Sequence, residues 1–205
     1  MIHFVLGGAR SGKSRFAEQQ VRELSANVSS NLDGQNITDN TCKRKVYLAT
    51  ATAIDDEMGK RILKHQIDRG DNWQLIECPL SLAETLHDLD CNNVYLLDCL
   101  TLWLNNQLYA MHEEDNCQQR QHLEAEIDKL MVSLASLTVD IVIVSNEIGL
   151  GVIPMGQSTR LYVDYCGWLN QKVAGIADEV TLVTAGLPLS IKSMKSKFKP
   201  GPKSK

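Results

Sequence analysis

The sequence lacks paired cysteines, a long apolar run, a basic leader and internal repeats, and each absence removes a class of protein. Its six cysteines (Cys42, Cys78, Cys91, Cys99, Cys117 and Cys166) are scattered, with no CxxC pair and no histidine at zinc spacing. A disulfide framework or zinc site is therefore not indicated, and small apolar core thiols in a reducing compartment are the expectation. No apolar run approaches the roughly 20 residues that a membrane span needs. Ile2-His3-Phe4-Val5-Leu6 reads directly as a strand, with no basic stretch ahead of an apolar one, so a cytoplasmic location is expected. No NKxD guanine-reading motif occurs, which excludes a Ras-like switch GTPase.

What is present is ordinary globular composition: 205 residues, 43% hydrophobic and 22% charged, enough for one domain with a sizeable core. The net charge of −4 conceals an asymmetry. Five of the 21 basic residues fall in 193–205 with no acid among them. The rest of the chain therefore carries 16 basic against 25 acidic residues, a balance of −9. A body that acidic is a poor nucleic-acid surface, so no nucleic-acid partner is expected. The tail, with Pro200-Gly201-Pro202 and no periodicity, reads as a solvated basic segment outside a catalytic domain of residues 1–192.

Apolar runs alternate with helical patterns along that domain. Strands are expected at Ile2–Gly7, Val46–Ala51, Gln74–Cys78, Val94–Cys99, Val139–Ser145 and Val180–Ala185. Helices are expected at about 13–24, 56–69, 82–89 and 160–177, with a long interrupted helical region up to about Leu137. Runs such as Val94-Tyr95-Leu96-Leu97 and Ile141-Val142-Ile143-Val144 are apolar on both faces, as parallel strands covered by helices on both sides must be. The fold class is α/β, a mostly parallel sheet with helices on both faces. Residues 26–44, polar and rich in Asn, Ser and Thr, read as a surface insertion.

Gly7-Gly8-Ala9-Arg10-Ser11-Gly12-Lys13-Ser14 fits GxxxxGK[ST], with an apolar strand before it and a helix after it. Glycines allow backbone conformations and close approach that a side chain would block. Successive N–H groups at the positive end of a helix then face phosphate oxygens. In such a loop Lys13 reaches the β- and γ-phosphates and the Ser14 hydroxyl ligates Mg²⁺. The metal also needs an acid at a strand end. Asp98, closing Val94-Tyr95-Leu96-Leu97, is the preferred candidate, and Glu147 is its competitor.

Ile54-Asp55-Asp56-Glu57-Met58 resembles a helix start, with acids opposing the dipole. Arg61, His65 and Arg69 follow at i, i+4 and i+8 and share one helix face. Two guanidiniums beside an imidazole disfavour its protonated form and offer a landing site for polyphosphate. A neutral imidazole there can act as nucleophile, general base or hydrogen-bond donor. From the spacing alone, a basic face that merely solvates the helix is the favoured reading.

The stretches GGARSGKS (7–14), YLATATAIDDEMGKRILKHQIDRGDNWQLIE (47–77), LLDCLTLWLNN (96–106), VSNEIGLGVIP (144–154) and ADEVTLVTAGLPLSIK (177–192) occur in that order. Together they resemble the bifunctional adenosylcobinamide kinase / adenosylcobinamide-phosphate guanylyltransferase family of cobalamin biosynthesis. The resemblance implies a RecA-like fold assembled as a homotrimer, with adenosylcobinamide, ATP and GTP as substrates and Mg²⁺ as cofactor. It implies phosphorylation of the aminopropanol hydroxyl, then transfer of GMP from GTP to that phosphate through a guanylylated histidine. His65, after DDEM, matches that histidine. Catalytic roles are implied for His65 and Lys13. Nucleotide contacts are implied at Gly7, Gly8, Ala9, Arg10, Ser11, Gly12, Lys13 and Ser14, at Ala49, Thr50 and Ala51, at Gln66, Ile67, Asp68 and Arg69, and at Glu77 and Asp98. Metal ligation is implied for Ser14 and Asp98. The chain departs from the family pattern in having Gly70 where Pro is common, Leu75 where Thr is usual, and Lys64 before the histidine. An apolar face with Leu102, Trp103 and Leu104 could meet the corrinoid or serve the core, and Val152-Ile153-Pro154 reads as a loop near the site. The remaining alternatives are a kinase of another small alcohol, and a RecA-type regulatory NTPase.

Overall fold

The computed structural model describes residues 1–26, 42–52, 59–60, 67, 70, 72–151 and 155–193. Strands β1 (Ile2–Gly7), β2 (Arg44–Ala49), β3 (Trp73–Glu77), β4 (Asn93–Asp98), β5 (Asp140–Asn146), β6 (Glu179–Thr184) and β7 (Leu187–Lys192) form one seven-stranded sheet. Its order is β3-β2-β4-β5-β1-β6-β7. The first six strands run parallel, and β7 pairs antiparallel with β6. Helices α1 (Lys13–Ala26), α2 (Leu82–His87), α3 (Leu100–Ala110), α4 (Asn116–Ala135) and α5 (Gln157–Ile176) connect them.

Alternation along each central strand sends neighbouring side chains to opposite faces of the sheet. Phe4, Leu6, Leu48, Tyr95, Leu97, Ile141 and Ile143 pack on one face with Leu82, Leu86, Trp103, Leu104, Leu123, Leu130, Tyr165 and Leu169 from α2–α5. Val5, Val94, Leu96, Val142 and Val144 pack on the other with Ala17 and Val21 of α1. Each buried aliphatic or aromatic side chain of this kind contributes about 1.5–3 kcal/mol. The two-sided runs read from the sequence are therefore central strands, with helices on both faces. The division is unequal among the described residues: α1, joined by Leu102 at the start of α3, covers one face, and α2–α5 cover the other.

Several expectations need revision. The interrupted helical region is two helices, broken between Ala110 and Asn116 and restarted by Asp115, whose carboxylate accepts from Cys117 N at 2.8 Å and Gln118 N at 2.9 Å. That is a capping box, closed by the Gln118 side chain. The antiparallel β7 has no counterpart among the expected strands. It is a short edge strand containing Pro188, a residue that lowers any strand expectation and is tolerated at an edge. Helix α1 extends to Ala26 and β2 begins at Arg44, while residues 27–41 of the expected insertion lie outside the described residues. Residues 194–205 of the basic tail lie outside them as well. All six cysteines are free, but only Cys78, Cys99 and Cys166 are buried; Cys42, Cys91 and Cys117 are exposed. Among the described residues no helix is long and apolar enough to cross a membrane.

Candidate active site

The loop between β1 and α1 stands at the carboxyl edge of the sheet, where open α/β sheets hold ligands. Its geometry explains its glycines. A Cβ on Gly7 would lie 2.5 Å from both Ser11 Oγ and the Val183 carbonyl, so only glycine closes β1 here. Gly12 has φ +92°, a region L side chains avoid, and a Cβ there would approach Gly186 Cα to 3.3 Å. Arg10 also has positive φ. The turn is tied by Ser11 N to Gly8 O at 3.2 Å, and α1 starts with Phe16 N to Gly12 O at 3.0 Å. Lys13 Nζ donates to Gly8 O at 3.1 Å, which sets its ammonium against the loop. Ser11 Oγ is buried without a hydrogen-bond partner.

Both flanks hold the cradle in place. On the β5 side Glu147 N donates to Gly7 O at 3.1 Å; on the β6 side Gly186 N donates to Ser11 O at 2.9 Å. Register then lines up the other expected positions. Glu77 pairs with Ala49 and Ala49 with Asp98, so the ends of β3, β2 and β4 form one row. Asp98 is separated from β1 by the intervening β5, which is roughly two strand spacings or about 10 Å. Its Oδ2 accepts from Tyr47 Oη at 3.2 Å. Glu147 directly follows Asn146, the residue paired with Gly7, and its Oε1 accepts from Gly149 N at 2.8 Å. Both acids considered for the metal thus stand on the same edge as the cradle, each with one carboxylate oxygen engaged.

Beneath this edge runs a buried polar chain that the sequence reading did not identify. Asn170 Nδ2 donates to Asn146 O at 3.1 Å, and Ser145 Oγ donates to Asn170 Oδ1 at 2.7 Å. Asn146 Nδ2 donates to Thr101 Oγ1 at 2.8 Å, and Thr101 Oγ1 lies 3.1 Å from Cys99 Sγ. Thr50 Oγ1 accepts from Cys99 N and donates to Cys99 O, each at 2.8 Å. The ends of β5, β4 and β2 are therefore fastened to one another and to α3 and α5. Polar residues closing apolar strands (Ser145-Asn146, Thr50) were the available signal. Burial first, then the Asp98 charge, pushes the Cys99 thiol up to about 11, with Lys13 acting in the opposite sense. The thiol therefore stays protonated between the cradle lysine and the strand-end acid.

Thr50, an expected nucleotide contact, has its polar groups committed within the protein. Its side chain is fully buried, its hydroxyl is committed to Cys99, its N–H donates to Asp98 O and its carbonyl accepts from Asn106. It shapes the edge from within, while Ala49 and Ala51 are partly exposed and Glu77 is exposed. Trp103 and Leu104 are core residues, and Trp103 Nε1 donates to Leu80 O at 3.0 Å, so neither offers a surface to a corrinoid. Leu102 packs against the α1-side core. His65, Gln66, Asp68, Arg69 and Arg61 lie outside the described residues, as do Val152, Ile153 and Pro154; Ile67 is exposed.

A glycine-lined loop between a buried strand and a helix, with lysine at the helix start, is the architecture of a P-loop nucleotide-binding protein. The cobinamide kinase / cobinamide phosphate guanyltransferase family matches residues 30–191. The bifunctional adenosylcobalamin biosynthesis protein CobP of Pseudomonas aeruginosa is 42% identical over 193 residues, covering 94% of this chain and 98% of that protein. The CobU protein of Escherichia coli is 34% identical over 199 residues, covering 94% of this chain and all of that protein. Among solved structures, the RadB recombinase is 13% identical with a TM-score of 0.43, covering 88% of this chain and 73% of that one. The flagellar accessory protein FlaH of Methanocaldococcus jannaschii is 12% identical with a TM-score of 0.47, covering 94% and 78%. The chain belongs to the cobinamide kinase / cobinamide phosphate guanyltransferase family and is a bifunctional enzyme with that family's two activities.

Proposed function

We propose that one nucleotide site, built on Gly7–Ser14, serves both reactions on an adenosylated cobinamide, and that His65 carries GMP between them. The observation supporting the single site is the convergence of the cradle with the Glu77–Ala49–Asp98 row on one sheet edge. In the kinase step the substrate hydroxyl attacks the γ-phosphorus of ATP or GTP, the bond to the β-phosphate oxygen breaks, and the nucleoside diphosphate leaves. Backbone N–H groups of the loop and the Lys13 ammonium stabilise charge on the phosphates. In the transferase step a His65 nitrogen attacks the α-phosphorus of GTP and pyrophosphate leaves. A phosphate oxygen of the cobinamide phosphate then displaces the histidine, which restores free His65 and gives adenosyl-GDP-cobinamide. Splitting the transfer in this way exchanges one difficult displacement for two easier ones.

The donor set fits Mg²⁺. The Ser14 hydroxyl and the Asp98 carboxylate, with Glu147 as the alternative acid, are hard oxygen donors. When bound, Mg²⁺ neutralises charge on the phosphates. The side chains of Gln66, Asp68, Arg69 and Glu77 are assigned to nucleotide binding in the same proposal, with Gly7, Gly8, Ala9, Arg10, Ser11, Gly12, Ala49, Ala51 and Ile67 contributing backbone or apolar contacts. The homotrimer, the cytoplasmic location and the absence of a nucleic-acid partner belong to it too, the last supported by the −9 balance of residues 1–192. The test is product analysis with adenosylcobinamide, Mg²⁺ and ATP or GTP. Cobinamide phosphate should form first, then GDP-cobinamide with pyrophosphate, and Lys13→Ala should depress both. Guanylylation at full rate in Lys13→Ala would contradict a shared site.

A further inference from the structure

The side-chain amide of Asn106, on α3, makes three ties that nothing in the phosphate cradle shares. Its Nδ2 donates to Thr50 O at 2.8 Å and to Pro79 O at 3.1 Å, and its Oδ1 accepts from Thr52 Oγ1 at 3.4 Å. Thr50–Thr52 is where the chain leaves β2 for the crossover that contains His65, and Pro79 lies just beyond β3, where that crossover has rejoined the sheet. Asn106 therefore joins the two ends of the crossover at the carboxyl edge of the sheet. The Pro79–Leu80 turn has further anchors, because Trp103 Nε1 and Gln107 Nε2 both donate to Leu80 O, at 3.0 and 2.8 Å. Among the described residues the exit segment is tied at Thr50 to Cys99 and Asp98, and at Thr52 to Asn106 alone. The cradle is held separately, by Glu147 on one side and Gly186 on the other.

We infer that Asn106 is a positioning residue for the guanylyltransferase half of the reaction, setting the direction in which the His65 crossover leaves the sheet. The inference rests on the proposed role of His65. An attacking atom must sit within about 3–3.5 Å of its target, and a displacement of about 1 Å can cost on the order of 100-fold. Nucleotide contacts of the crossover serve both reactions, but only guanylylation needs the His65 nitrogen at attacking distance from the α-phosphorus, so loosening the exit segment weighs more on that step.

The test compares Asn106→Ala and the isosteric Asn106→Asp with the wild type. Three quantities are measured on each protein: cobinamide phosphorylation, the rate of label transfer from α-labelled GTP to the protein, and the melting temperature. The Asp variant keeps the volume but sets a carboxylate against two carbonyls. Thr52→Val, which removes only the tie to the exit segment and leaves the Asn106 contacts to Thr50 and Pro79, covers the case in which neither Asn106 variant folds. Expected is a fall of tenfold or more in the guanylylation rate at saturating GTP, with phosphorylation reduced less than threefold and the KM for GTP changed less than its kcat. Equal losses in the two activities, or no loss in either, overturn the inference while wild-type labelling still stands. A wild type that takes no label overturns the His65 reading and this inference with it.

Discussion

Gly186 donates its backbone N–H to the Ser11 carbonyl at 2.9 Å, so the turn between β6 and β7 braces the phosphate cradle on the flank away from β5. Gly12 sits against the same turn at φ +92°, with Gly186 Cα 3.3 Å from where its Cβ would be. Gly12→Ala should therefore cost about 1–2 kcal/mol from the left-handed backbone alone, and more if the turn must shift. A lowered melting temperature and weaker nucleotide binding are expected, the second by calorimetric titration. Unchanged nucleotide affinity would mean that the loop does not need this packing.

Tyr47 Oη and Asp98 Oδ2 are 3.2 Å apart, which orients the strand-end carboxylate. If Asp98 holds the metal, Tyr47→Phe should raise the Mg²⁺ concentration for half-maximal activity by about tenfold, within the range for lost outer-shell partners. Asp98→Asn should do more harm than Glu147→Gln. The reverse ranking, in metal titrations of binding and of turnover, would transfer the role to Glu147.

Much of the site was legible because its chemistry is local in sequence. The cradle needs a strand, a glycine turn and a helix in immediate succession, and Gly7 to Ser14 spell that out. The two-sided apolar runs at Val94–Leu97 and Ile141–Val144 identified central strands for the same reason. Non-local facts were not legible. That β5 separates β1 from β4, that Asn146 reaches Thr101, and that Asn106 ties Thr50 to Pro79 all depend on strand order, which local periodicity does not encode. Trp103 illustrates the converse: an apolar helix face looks the same from sequence whether it meets a ligand or the core, and here it meets the core.

Burial divides the cysteines. Cys78 and Cys99 are pushed up to about 11 and Cys166 to about 12, in each case chiefly by burial. Cys42, Cys91 and Cys117 are exposed. Iodoacetamide at pH 8 should therefore modify three thiols rapidly in the native protein and all six after unfolding, as read by mass spectrometry. Rapid native labelling of Cys99 would contradict its closed setting.

His3 is buried against Thr181 Oγ1 at 2.9 Å, and burial lowers its pKa below the ordinary 6.5, with Glu179 only partly opposing. A folded pKa below the unfolded one means that the unfolded chain binds more protons once the pH is under 6.5. This group's contribution is complete above that pH and declines as the pH falls toward the folded pKa. Urea unfolding between pH 5 and 8 should show this decline, and His3→Gln should flatten it. An identical pH dependence in the two proteins would remove His3 as its source.

In the proposed reaction GMP passes from GTP to the cobinamide phosphate through His65. Incubation of the protein with α-³²P-GTP and Mg²⁺, followed by denaturation, should leave an acid-labile, base-stable label on the chain. His65→Ala should abolish that label while nucleotide binding at the cradle persists. No label on a folded, GTP-binding wild type, or a label that survives His65→Ala, would contradict the account.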